Sequence, residues 1–368
     1  MKEHEFTPTI RKILREEFGA NAEDLLKNSA LLQYINVKTT SASRGSKARG
    51  SFGNIYAIFV LVEDYINRRF HISGNYEDAA GAKFSDLLKR QRELPFGSKL
   101  QNHALNHRLN QEFEKYFPFA NAQPVLRDPE THQYWINENL LMIDTNKDSY
   151  NIAEAILRII NAYIDAKQEA FHEFINDCEK MLHISDEGSD EVNNFVAGLL
   201  RPNVDARIFE IVSFAILKAN YGDQSIFWGW ELEKVEKESL VLYKTGRTNA
   251  NDGGIDFVMK PLGRFFQVTE TLDVTKYFLD IDKVQKYPIT FVVKTELKIS
   301  DVELKIKKQA EAKYPVKTIV QKYMKSIEEI INIPILLERF FEVVELGNVS
   351  VVMDEIVKHS RVEFNLLE

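Results

Sequence analysis

Three residues stand out for the chemistry they can do side by side: Glu210, Asp256 and Gln267. Glu210 lies within an apolar stretch, Val204 to Asn220, where Ile208, Ile211, Val212, Ala215 and Leu217 recur at helical spacing and Gly222 marks a stop. Asp256 closes the run Asn251-Asp-Gly-Gly-Ile-Asp256 and enters a short strand over Gly254 to Met259. Gln267 begins Gln267-Val-Thr269 in the next strand, Arg264 to Thr269. Pro261-Leu-Gly263 between them spells a tight hairpin. Alternate strand residues share a face, so Asp256, Val258 and Lys260 point one way, and Gln267 and Thr269 also share a side. The hairpin then sets the Asp256 carboxylate beside the Gln267 amide on one edge of a sheet, an oxygen-donor pair. Each residue alone has an ordinary reading. Asp256 can be a turn residue, Glu210 can pair with Arg207 on a solvated strip, and Gln267 can be a plain strand residue. The spacing of the three argues for a site.

These residues resemble the PD-(D/E)XK nuclease superfamily, the restriction-endonuclease-like fold. Its pattern is a helix Glu, a strand Asp and, about ten residues on, an acid-X-Lys. A subset starts the strand with Gly-Gly-Ile-Asp and follows with Gln-X-Lys, which Asn-Asp-Gly-Gly-Ile-Asp256, Pro-Leu-Gly263 and Phe-Phe-Gln267 match over residues 204–295. The resemblance implies an α/β core, a mixed central sheet flanked by helices, and Mg²⁺-dependent cleavage of double-stranded DNA in the manner of a type II restriction endonuclease. Magnesium takes oxygen ligands and activates water for attack on a phosphodiester. Asp256 would be its central ligand, Gln267 a neutral ligand and Glu210 an auxiliary acid. The chain departs at the lysine position, which is Thr269 and carries no charge to offset the transition state. Lys260, Lys276 or Lys244 is left to supply it. The family also implies a homodimer and a cognate DNA methyltransferase in the host. Thr269 keeps two other readings open: a DNA-binding protein on a degenerate nuclease scaffold, and a nuclease for modified DNA or RNA.

Cations cluster in places where phosphates could be held. Residues 38–50 carry four cations and no acid, and Ser43, Arg44, Ser46, Lys47 and Arg49 are expected to grip the DNA backbone ahead of a helix N-terminus. Arg247, Thr248 and Asn249 precede the Asp252 turn and would lie near the scissile phosphate. Residues 89–110 form the candidate base-reading segment, with Lys99, Asn102, Asn106 and Arg108 as its readers and Asn110 continuing an i,i+4 row. A solvated loop and a polar helix face are the plain alternatives. The three tryptophans, Trp135, Trp228 and Trp230, read as packing residues.

The elements that must position these side chains fall into two parts. The 368-residue length favours two domains. Residues 1–184 read as a mostly helical DNA-recognition region, and residues 192–368 as the nuclease core. The acidic run Ser185 to Glu191 is the expected linker. Residues 8–35 and 82–117 read as helical, the latter broken at Pro95. Ser51 to Phe70 opens as a helix apolar on all sides, and 151–182 is the most regular helix. Short strands are expected over 122–150. Ile289 to Lys294 reads as an inner strand, followed by a charged helix over 302–329, a further helix and two C-terminal strands. The net charge of −8 argues against coating nucleic acid by bulk electrostatics but leaves room for a basic cleft. A single cysteine, Cys178, excludes an internal disulfide framework and a cysteine-cluster zinc site. No apolar run is long enough for a bilayer and no secretory leader is evident, so a cytoplasmic protein without small-molecule cofactor is expected.

Overall fold

The computed structural model describes residues 2–40, 48–74, 76, 78–98, 100–120, 122–145, 148–185, 190–246 and 255–363, with backbone alone at 48–51. Helix and strand are mixed throughout, and the chain divides into two compact units, Met1–His172 and Glu173–Glu368.

The first unit is mostly helical. It begins with α1 (Thr7–Phe18), α2 (Ala22–Asn28) and α3 (Ala30–Lys38), followed by α4 (Ala48–Asn67) and a single turn, α5 (Phe70–Ser73). Ile55 to Val62 of α4 are all buried, because an all-apolar helix can only lie inside a core. Strand β1 (Ala82–Lys83), α6 (Phe84–Glu93) and α7 (Leu109–Tyr116) follow, with a π-turn over Ala104–Arg108 leading into α7. Strands β2 (Val125–Asp128) and β3 (Gln133–Ile136) form an antiparallel sheet with β1 in the order β1-β3-β2. Strands β4 (Met142–Asp144) and β5 (Ser149–Asn151) make a separate ribbon.

Helix α8 (Ala153–Ile184) carries the boundary between the units, twelve residues before its own end. The expected linker over 185–191 therefore does not mark the division. Ile156, Ile159, Ile160, Tyr163 and Ile164 belong to the core of the first unit, and Asp190 and Glu191 at the end of the acidic run open the helix that follows. Residues 186–189 of that run lie outside the described residues.

The second unit adds α9 (Asp190–Leu199), α10 (Ala206–Gly222) and a two-stranded ribbon, β6 (Ser225–Trp228) and β7 (Glu236–Ser239). Its main sheet uses β8 (Val241–Lys244), β9 (Phe257–Lys260), β10 (Arg264–Thr269), β11 (Ile289–Val293) and β12 (Ile327–Ile331), in the order β12-β11-β10-β9-β8. β8, β9 and β10 pair antiparallel, and β10, β11 and β12 pair parallel. The parallel steps need crossovers, supplied by α11 (Val274–Lys283) and by α12 (Ile299–Lys313) with α13 (Lys317–Lys325). α14 (Ile333–Glu345) and α15 (Val349–Glu363) end the fold.

Pro261-Leu-Gly263 turns the chain as expected: Gly263 has φ +67° and its N–H donates to Met259 O at 2.9 Å. α10 is buried from Arg207 to Tyr221 except at Lys218, and packs against β8, α14 and α15. Tyr277, Phe278 and Ile281 of α11 and Val302, Ile306 and Ala310 of α12 share a core with Phe291 and Val293 of β11. Two expectations fail in this unit. Residues 302–329 are two helices and a strand, because Pro315 ends the helical run and Ile327–Ile331 pairs beside β11. The C-terminal strands are helices: Val349, Val352, Met353 and Ile356 bury one side at helical spacing. Among the described residues no helix is long and apolar enough to cross a membrane.

Candidate active site

The N-terminus of α10, the ends of β8 to β11 and the start of β9 supply the side chains of the site. Asp205 caps α10 by accepting the Arg207 N–H at 2.6 Å. Burial raises its carboxyl above the ordinary range and Glu270 adds to the rise, against the Arg207 hydrogen bond and the charges of Arg207 and Lys294. Further along, Glu210 Oε1 lies 2.9 Å from Lys244 Nζ at the end of β8, and both side chains are 8% exposed. Glu210 is thus a buried, paired carboxylate rather than part of a solvated strip.

Asp256 stands one residue before β9. Phe257 pairs with Lys244 on one side and Phe266 on the other, so Asp256 lies between the end of β8 and the middle of β10. Its N–H donates to Phe266 O at 2.9 Å, and its carbonyl accepts the Thr245 N–H at 3.0 Å. Its side-chain Oδ2 accepts the Val268 N–H at 2.6 Å. A short bond to a main-chain donor fixes the carboxylate on the strand segment that carries Gln267. The Gln267 amide leans weakly toward Val268 O at 3.4 Å, while its Oε1 is buried with no hydrogen-bond partner. An unsatisfied buried acceptor is costly in water-free surroundings and suits a ligand that brings a donor or a cation.

The Thr269 side chain is engaged locally. Its hydroxyl shapes the turn out of β10, with Oγ1 at 3.3 Å from both Thr271 N and Thr271 O. Of the three lysines considered from the sequence, Lys244 is the one held against Glu210. Lys260 pairs with Val241 at the opposite end of the β8–β9 ladder, roughly 13 Å along the strand at about 3.4 Å per residue. Lys276 is exposed in the first turn of α11.

Sequence reasoning missed Lys294. It follows β11, donates its N–H to Thr269 O at 2.9 Å and places Nζ 2.8 Å from Glu270 Oε1. The same ammonium also donates to Val204 O, just before α10. A buried lysine therefore sits one strand over from Thr269. The signal was a lysine ending the apolar run Ile289–Val293, which gains meaning only once β10 and β11 are known to be parallel neighbours.

The expected DNA contacts divide three ways. Ser43, Arg44, Ser46, Lys47, Lys99, Arg247, Thr248 and Asn249 lie outside the described residues, as does the 251–254 turn, and Arg49 is described by its backbone alone. Asn102 and Arg108 are exposed, with His103 and His107 beside them. Asn106 instead accepts the Tyr134 hydroxyl at 2.9 Å, and Asn110 holds Val125 through both its amide atoms at 2.8 and 3.0 Å. The π-turn over Ala104–Arg108 breaks the i,i+4 row, so the three asparagines do not form one reading edge. Arg90 is spent on Glu63 in a two-pronged pair at 2.8 Å. The tryptophans also divide. Trp135 donates to Ala79 O at 2.9 Å, but Trp230 is 88% exposed with Trp228 edge-on at 4.9 Å, so it is not a packing residue.

Comparison with family models, with curated proteins and with solved structures returns no match.

Proposed function

We propose that the chain is a metal-dependent endonuclease acting on double-stranded DNA, with a PD-(D/E)XK-like core formed by α10, β8, β9, β10, α11 and β11. Two observations carry this reading: the Asp256 carboxylate is fixed to the Val268 N–H, and Gln267, which the β9–β10 register sets across from Asp256, has a buried Oε1 with no hydrogen-bond partner. Helix, three antiparallel strands, helix and parallel strand also follow in the order that the resemblance implies.

The donor set fits Mg²⁺ in kind. It offers a carboxylate and an amide oxygen, and hard divalent cations take oxygen ligands with waters and substrate phosphate completing the shell. Among the described residues no group of three or more His, Cys, Asp or Glu gathers at one point. Asp256 and Gln267 would therefore hold the ion with non-protein oxygens. The ion would polarise the phosphate and lower the pKa of a bound water. Lys244 pairs with Glu210 and Lys294 with Glu270, which sets two ammonium donors near the strand ends where the phosphate would lie.

A binding protein on a nuclease scaffold is the second reading, favoured by the Thr269 hydroxyl being turned into its own loop. Incubating plasmid, methylated plasmid and an RNA transcript with Mg²⁺ or EDTA separates these readings. Metal-dependent cutting of duplex DNA is expected, and Asp256→Ala should lower it at least a hundredfold while duplex binding stays within about threefold. Normal cutting by that variant removes Asp256 from the chemistry. Metal-independent binding without products from the wild type selects the scaffold reading.

A further inference from the structure

The acidic chain keeps a dense reserve of positive charge in its second unit that the site does not use. Between Lys305 and Lys325 it carries seven lysines and a single acid, Glu311, in a protein of net charge −8. Lys313 is tied to Thr275 Oγ1 at 2.5 Å. Among the described residues, the other six form no ion pair. α12 and α13 turn three of these six, Lys307, Lys317 and Lys325, around a cavity of about 590 Å³. Lys307 and Glu311 line it from α12, Lys317 and Lys325 from α13, and Val320 and Met324 also line it.

We propose that this groove binds the phosphodiester backbone of a nucleic acid duplex. It deepens the nuclease reading by placing a backbone-binding surface on the same unit as Asp256, and it does not depend on cutting. Like charges held around one cavity repel each other until a polyanion enters between them. Lys317 and Lys325 stand two helical turns apart, about 12 Å. That span covers several phosphates of a duplex strand at about 3.4 Å of axis each. The concave form with cations on both walls favours a rod-like polyanion over a flat lipid surface. Lys313 and Thr275 join the end of α12 to the start of α11, which directly follows the turn out of β10. The groove's helices are thus tied to the strand that carries Gln267.

The test is fluorescence anisotropy of the full chain with a labelled 30-base-pair duplex in EDTA, over a series of salt concentrations. Lys307→Glu/Lys317→Glu/Lys325→Glu should weaken binding more than tenfold near 0.1 M salt. It should also flatten the log–log salt dependence by about 2 to 3, at roughly 0.9 for each phosphate that is no longer neutralised. Glu311→Lys should tighten binding about threefold or more and steepen the same slope. The matched reversal Lys12→Glu/Lys27→Glu/Lys237→Glu controls for bulk charge and should change affinity less than threefold. Circular dichroism melts confirm that each variant is folded. Equal losses from both triple variants, or no gain from Glu311→Lys, overturn the groove. So does loss of binding to phosphatidylserine vesicles with duplex binding intact. Because the binding assay runs in EDTA, intact binding with failed cutting speaks against the catalytic assignment and leaves the groove standing.

Discussion

Glu210 and Lys244 show how little a residue type says before its surroundings are known. In sequence, Glu210 was equally a metal ligand and a surface partner of Arg207. In the fold it is a buried carboxylate with an ammonium 2.9 Å away. Buried pairs add little net stability but are expensive to break from one side. Lys244→Met should therefore cost about 3 kcal/mol, and adding Glu210→Gln should recover most of it. Urea denaturation of the two single variants and the double gives the coupling directly. Additive losses would mean that the two charges are not partners in solution. Asp256 and Gln267 were legible because strand alternation and a Pro-Leu-Gly turn fix a register locally. Lys294 and Glu270 were not, because their meeting depends on a parallel crossover that no short window contains.

At the scale of elements, α10 anchors the site, and its first turn rests on Asp205. Removing the cap with Asp205→Ala should destabilise the chain by about 1 kcal/mol. Asp205→Asn keeps a capping oxygen and sheds a charge that burial disfavours. The sign follows from the raised folded value. The stabilisation is complete below the ordinary carboxyl pKa of 3.8 and is lost as pH rises through the folded one. The advantage of Asn over Asp should therefore be larger at pH 7 than at pH 4, as chemical-denaturation midpoints at the two values would show. A constant difference would mean that the carboxyl is not perturbed by folding. The elements around α10 were readable where pattern and partner agree. α4 and α8 announce themselves by apolar content, and β8 to β10 by alternation and turns. β12 was hidden because Ile327-Glu-Glu-Ile-Ile331 follows a lysine-rich helical run and has no strand alternation of its own. β-Branched residues in Val349-Ser-Val-Val352 suggest a strand, yet the 3–4 spacing of the apolar positions decides for α15.

For the whole molecule, composition set outer limits and misplaced the boundary. The division between units falls inside α8, whose face up to Ile164 enters the core of the first unit. Acid sensitivity is also a global property, and Glu355 of α15 contributes to it. Its carboxylate is held at about 2, first by the hydrogen bond with His359 and further by Lys218 of α10, while burial pulls the other way. The folded value is depressed, so the stabilisation is present above 4.5 and is lost as pH falls from there through about 2. Glu355→Gln should cost on the order of 2–3 kcal/mol at pH 6. Its deficit should shrink steadily toward pH 3 in thermal melts. A deficit independent of pH would mean that the carboxylate's charge is not what ties α15 to α10.

The place of β11 has one further bearing, on how the chain is made. All five of its residues are buried, and each flank is covered by a parallel neighbour, the outer one being β12. A nascent polypeptide that has emerged only as far as α13 has nothing to lay along that outer flank. Ile289-Thr-Phe-Val-Val293 is then a bare apolar ribbon, open to pairing with other chains until Ile327–Ile331 arrives. The lysine-rich stretch is synthesised in between, so closure of that flank waits until it has emerged.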